Sequence, residues 1–217
     1  MLGRTWEAPK YKREETLPWI PLENEIDQLI AGCSPKVATF LQLLKETGMS
    51  PGEAWRLKWI DVDFEKNAVY VRPEKGSKPR VFKMSGKLVA MLKALPNKSE
   101  YVFKSGAFRH FAYNFSRQRR RVAVKLKNPR INRITFKTLR HWKATMEYAK
   151  TKDVLYVMEI LGHRNIKNTL KYTHPVDKSD EYVCKVARTL QEACALVEAD
   201  FEYVCDMDGA KIFGKRG

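Results

Sequence analysis

The sequence predicts a mainly α fold of the α+β kind, with helices packed around one small antiparallel β-sheet. Apolar residues recur at three- and four-residue spacing along most of the chain, the period of an amphipathic helix. Ser-Pro pairs and single glycines fall at the ends of those runs, where helix caps are needed. Strand-forming residues are confined to short runs, chiefly Val69-Tyr70-Val71 and Val81-Phe82 on either side of a Pro- and Gly-containing turn.

The 217 residues suit one domain with small appendages, and a hydrophobic content of 44% is enough for a core. Lysine and arginine total 41 against 25 acids, a net charge of +16. That excess favours a polyanionic partner, most commonly a nucleic acid and next an anionic membrane surface. A membrane-surface protein would need an amphipathic helix with one wholly cationic face, and the sequence has none. No apolar run reaches the ~18 residues a bilayer span requires, and the N-terminus lacks an apolar signal core. Cys33, Cys184, Cys194 and Cys205 form no CxxC pair, so they read as reduced apolar residues and not as a zinc site.

Residues 1–20 read as an arm or linker, because Pro18 and Pro21 interrupt any helix. Order is expected from about Glu23, with Ile26, Leu29 and Ile30 on one face. Ser34-Pro35 starts a second helix that carries Val37, Phe40, Leu41 and Leu44 and ends at Gly48. Ser50-Pro51 with Glu53 reads as a capping box opening a short third helix. The two strands follow, with Pro73 to Pro79 as their turn, and then a helix from Gly86 to Leu95. Further helices are expected over 108–124, 136–148 and 154–161, the last stopped by Gly162. Asp180 to Ala199 reads as one long helix, and residues 200–217 as a terminal hairpin or tail around Asp208-Gly209. A core domain of residues 21–199 is therefore expected between the arm and the tail.

The chemistry concentrates between Lys137 and Tyr172. Lys137 and Arg140 are three apart, so both fall on one helix face and can bracket a phosphate. Leu139 and Trp142 should bury the same helix and anchor that pair at the core's edge. His163, after the helix-stopping Gly162, could donate a hydrogen bond to a phosphate oxygen. Tyr172 is the potential nucleophile. Such a tyrosine must be wet enough to reach its phosphate and close to cations that favour the phenolate. A second basic stretch, Arg117, Arg119, Arg120, Arg121, Lys125 and Lys127, contains no acid and reads as a surface that tracks DNA phosphates.

In this order and spacing the residues resemble the catalytic domain of the tyrosine recombinase (phage integrase) family, and especially its archaeal and archaeal-virus integrases. Lys137, Arg140, Leu161-Gly162-His163, Thr169 and Tyr172 match the family pattern position for position. Thr47 to Ala54 resembles its first-arginine segment, and Glu74-Lys75-Gly76 its hairpin lysine turn. One position departs: the first arginine falls at Ser50. Arg56 lies further along and would face elsewhere on a regular helix, so Ser50 is read as an impairing substitution, with takeover by Arg56 as the alternative.

The resemblance implies site-specific recombination without metal, nucleotide or other cofactor. Tyr172 would attack the scissile phosphate and form a 3′-phosphotyrosyl link. Lys75, with Lys78 as the fallback, would protonate the leaving 5′-oxygen. Arg140 would stabilise the transition state, with Lys137 and His163 assisting. A 5′-hydroxyl would then reverse the step; the bond energy held in the phosphotyrosine makes ATP unnecessary. The implied partners are double-stranded DNA carrying a recombination site and further protomers, as a tetramer on DNA. The implied location is the nucleoid of a prokaryotic cell or its virus-infected host. The chain would be a catalytic-domain fragment with reduced DNA affinity. The other reading, suggested by Ser50, is a catalytically silent DNA-binding module of the same fold.

Overall fold

A computed structural model describes residues 18–74, 76–172, 182–199, 201–207 and 209–216. The chain divides into two units, the first ending at His174 and the second beginning at Pro175. In the first, α1 (Glu23–Ala31) and α2 (Pro35–Thr47) pack against each other, and the short α3 (Pro51–Trp55) follows. Most of the expected arm lies outside the described residues, but Trp19 and Ile20 already pack on the core. Arg133 stacks on Trp19 at 4.5 Å, so residues ahead of α1 already take part in the packing.

The strands β1 (Val62–Asp63), β2 (Ala68–Val71) and β3 (Arg80–Lys83) form an antiparallel sheet in the order β1-β2-β3. Val69 lies opposite Phe82, so the expected turn residues 73–79 do join the second and third strands. The helices α4 (Gly86–Lys93), α5 (Phe108–Lys125), α6 (Phe136–Thr151), α7 (Val154–Leu161) and α8 (Lys167–Leu170) complete the unit.

Phe40, Leu41, Leu43 and Leu44 are fully buried, which places α2 at the centre. The Phe40 ring meets Phe103, Phe111 and Phe136 at 4.9 to 5.0 Å, mostly edge to face, and Phe115 stacks on Phe136 at 4.4 Å. The aromatic residues spaced along α5 therefore become the contact that seats α5 and α6 on α2. This packing fixes α6, and α6 carries Lys137 and Arg140.

In the second unit the long helix expected over 180–199 is not formed. Tyr182–Ala187 is a strand, β4, and only Leu190–Glu198 is helical, as α9. Val183 and Val186 are β-branched, and β4 pairs along its length with a later strand. Thr189 then caps a new helix, accepting the Glu192 N–H at 3.2 Å. The expected terminal hairpin is present as β5 (Glu202–Met207) and β6 (Ala210–Arg216), with Gly209 in the left-handed region at φ +76°. The sheet order is β4-β6-β5, and Ala187, Phe201 and Phe213 form its small core with Ala193 and Leu196.

Candidate active site

Arg140 is the hub of the site. Its position on α6 follows from Thr135, whose hydroxyl accepts the Thr138 N–H at 3.1 Å and starts the helix. From there the guanidinium reaches the ends of two other helices. It donates to the Gly48 carbonyl at 2.7 Å and to the Leu161 carbonyl at 2.8 Å. Gly48 and Gly162 both cap their helices in the left-handed conformation, at φ +63° and +67°. The two helix-ending glycines seen in the sequence thus turn the chain where Arg140 collects its carbonyls. Burial works against its charge and Glu53 works in favour of it.

A third Arg140 contact reaches His163 Nε2 at 3.1 Å. A guanidinium can only donate, so Nε2 accepts and the ring proton sits on Nδ1. Nδ1 in turn donates to the Thr169 hydroxyl at 2.9 Å. Burial and then the nearby Arg140, Lys171 and Arg80 push His163 down to about 4, so the ring is neutral at pH 7. The sequence suggested a histidine donating to phosphate. Both ring nitrogens are engaged, Nε2 as an acceptor and Nδ1 as a donor.

Tyr172 departs most from expectation. A wet phenol was expected, yet Tyr172 is only 2% exposed and packs with Ala144, Val157 and Leu161. Its hydroxyl lies 2.8 Å from His141 Nδ1. Burial raises its pKa to about 12, although Arg140 pulls in the other direction. The expected cations are close: Lys171 lies 5.1 Å from the Tyr172 ring centroid, and Lys137, Lys171 and Arg140 all act on His141. Lys137 itself is exposed on the first turn of α6, three residues from Arg140 as its spacing required.

The hairpin turn is tied to the same corner. The Lys78 N–H donates to the Gly162 carbonyl at 3.2 Å, and the Ser77 hydroxyl donates to the same oxygen at 3.2 Å. Lys75 lies outside the described residues, but its chain neighbours Glu74 and Gly76 line a cleft of about 800 Å³ with Ser50, Arg140 and His163. Lys78 is exposed.

Two buried side chains complete the site, Glu53, expected as a capping residue, and Arg80, which the sequence gave no reason to single out. Arg80 opens β3, pairs with Glu53 and donates to the Leu161 carbonyl that Arg140 also uses. Their side chains are 4% and 3% exposed. Gly162 is glycine for this reason as well as for its φ: a Cβ there would stand 2.6 Å from the Arg80 guanidinium. The signal available in the sequence is weak, a basic residue at the start of a four-residue strand that ends in another, Lys83.

Ser50 caps α3 as expected, its hydroxyl accepting the Glu53 N–H at 3.2 Å while Glu53 takes the Ser50 N–H at 2.7 Å. Arg56 does not face elsewhere. The helix stops at Trp55, and Arg56 lines the same cleft as Ser50 and pairs with Glu74. Of the basic residues on and after α5, Arg117, Arg120, Arg121, Lys125 and Lys127 are exposed. Arg119 instead turns inward, donating to the Ile134 carbonyl at 2.6 Å.

Compared with known proteins, residues 22–179 match the Phage integrase family. The chain belongs to that family. Among its relatives, the tyrosine recombinase XerA of Pyrococcus horikoshii is 30% identical over 185 residues, 81% of this chain and 65% of that protein. XerA of Saccharolobus solfataricus is 28% identical over 81% of this chain and 58% of its own length. The chain therefore spans about three fifths of the length of these curated relatives. A crystal structure of XerA recombinase superimposes with a TM-score of 0.63 at 26% identity, over 76% of this chain and 63% of that one. The XerH recombinase bound to its palindromic difH substrate, a post-cleavage complex, gives 0.59 at 25% identity, over 84% of this chain and 54% of that one. The mainly α fold with small antiparallel sheets is that of a phage integrase family catalytic domain.

Proposed function

We propose that this chain is the catalytic part of a site-specific DNA recombinase that cleaves and rejoins DNA through a 3′-phosphotyrosyl intermediate on Tyr172. The observation that carries this reading is the Arg140 hub, which bonds His163 directly and favours the ionised form of Tyr172. In the reaction the Tyr172 oxygen forms the bond to phosphorus and the bond to the 5′-oxygen breaks. Arg140 meets the charge that develops on the non-bridging oxygens, Lys137 contacts the same phosphate, and His163 donates to it as the Nε2–H tautomer, which gives up the Arg140 contact. Lys75 delivers a proton to the leaving oxygen; Lys78, at the other end of the same turn, is its substitute. Because Tyr172 is buried, DNA must draw it out of the Ala144, Val157 and Leu161 cluster before attack.

The substrate is duplex DNA carrying a recombination site. The net charge of +16 and the exposed α5 cations support this, as does the DNA in the XerH complex. The protomers assemble as a tetramer on that DNA, with the C-terminal segment reaching a neighbour, in the nucleoid of a prokaryotic cell or its virus-infected host. Ser50 favours a second reading, a silent DNA-binding module of the same fold.

Incubation with a pool of nicked duplexes of randomised central sequence separates the two. The recombinase reading expects a covalent protein–DNA adduct on a denaturing gel, absent with Tyr172→Phe. Salt-sensitive binding without any adduct would leave only the silent module.

A further inference from the structure

We propose that Arg56 supplies the phosphate-binding guanidinium that position 50 lacks; this rests on the recombinase reading above. Position 50 offers no cation, and the Ser50 hydroxyl is already used in capping α3. Arg140 is committed on one side to two carbonyls and a histidine. Stabilising the extra negative charge of a five-coordinate phosphorus needs a second donor from another direction.

The described residues offer three further arginines at this corner. Arg80 is buried and fixed by Glu53 and the Leu161 carbonyl, so it cannot reach a phosphate without breaking the fold. Arg164 lines the cleft but follows the catalytic histidine directly in sequence. Arg56 lines the cleft together with Ser50 and Arg140, and its side chain is 58% exposed.

Arg56 is the C-cap of α3, and its N–H still bonds the Gly52 carbonyl at 3.1 Å, one turn back, so its Cα keeps the place a continued helix would give it. The reach comes from the long side chain, which extends over the cleft to Glu74. Glu74 holds the guanidinium there. An ion pair with one partner this exposed is weak and screened by salt, so an incoming phosphate can take over the guanidinium from Glu74.

The test compares rates of covalent adduct formation on the nicked-duplex pool. Arg56→Ala should react about 100-fold more slowly or worse, with an unchanged melting curve because the side chain is exposed. Arg56→Lys should recover only part of the rate, since the two-pronged contact is lost. Adding Ser50→Arg to Arg56→Ala should restore reaction. A methylphosphonate at the scissile position removes one charge and should narrow the gap between Arg56→Ala and wild type; a merely structural role would not move this readout. Arg56→Ala reacting at the wild-type rate would overturn the proposal. So would loss of reaction on Arg164→Ala while Arg56→Ala stays active. Adducts formed by Ser50→Arg but not by wild type would overturn it and leave the family reading intact. No adduct with either chain would overturn both.

Discussion

The Tyr172 hydroxyl and His141 Nδ1 are 2.8 Å apart, and neither side of this contact carries a charge at pH 7. Burial and then Lys171, Lys137 and Arg140 push His141 down to about 4. The neutral ring shares one hydrogen bond with the phenol, while burial lifts Tyr172 to about 12. Tyr172, the proposed nucleophile, is thus stored protonated and packed, away from water. Ultraviolet titration should show one tyrosine that ionises well above pH 10, lost in Tyr172→Phe. Stability linked to this group is present below pH 10 and lost as pH rises towards 12.

The histidines act in the opposite direction. His141 and His163 are both depressed to about 4 from 6.5, so each unfolded chain binds the proton more readily than the folded one. Their contribution is complete above pH 6.5 and is lost as pH falls towards 4. Melting temperature should fall across that window. Replacing both histidines with glutamine should flatten the fall.

Arg80 and Glu53 are expected to be structural partners whose loss disables the site from beneath. Arg80→Ala leaves a buried carboxylate unpaired and should cost about 3–5 kcal/mol in urea unfolding. Glu53→Gln should cost less, because the amide oxygen still accepts. Gly162→Ala should also destabilise, since φ is +67° and the new methyl meets the Arg80 guanidinium.

Position 50 should separate stability from activity. Ser50→Ala removes the cap of α3 and should cost about 1 kcal/mol without slowing the chemistry per folded molecule. Ser50→Arg loses the same cap but gains a cation in the cleft. Its thermal unfolding should resemble that of Ser50→Ala, and its adduct formation should equal or exceed wild type.

The helix α5 should divide by residue. Arg117→Ala, Arg120→Ala and Arg121→Ala should each weaken DNA binding across sequences and lower the salt slope by about 1. Arg119→Ala should mainly destabilise the fold, because its guanidinium serves the Ile134 carbonyl.

What the sequence made legible follows the range of the forces involved. The Ser50-Pro51 helix start and the Gly48 and Gly162 ends are readable because caps act within four residues. The pairing of Lys137 with Arg140 is readable for the same reason. Pro35 does open α2, but the expected Ser34 side-chain cap is not formed: its hydroxyl accepts from Gln118 at 3.1 Å instead. Tyr182–Ala187 reads as helix in the sequence because a strand's pairing partner, here β6, lies about thirty residues away. Arg80 and His141 were not singled out, since their partners Glu53 and Tyr172 come from other elements. The direction of Arg56 is not legible either, since its partner Glu74 comes from the hairpin turn and not from α3.

The most direct test of the account is to trap the reaction on a nicked duplex and map the linked peptide by mass spectrometry. The account expects the DNA joined by its 3′-phosphate to Tyr172, and no linked peptide from Tyr172→Phe. Linkage to any other residue, or a 5′-phosphate bond to Tyr172, would contradict it.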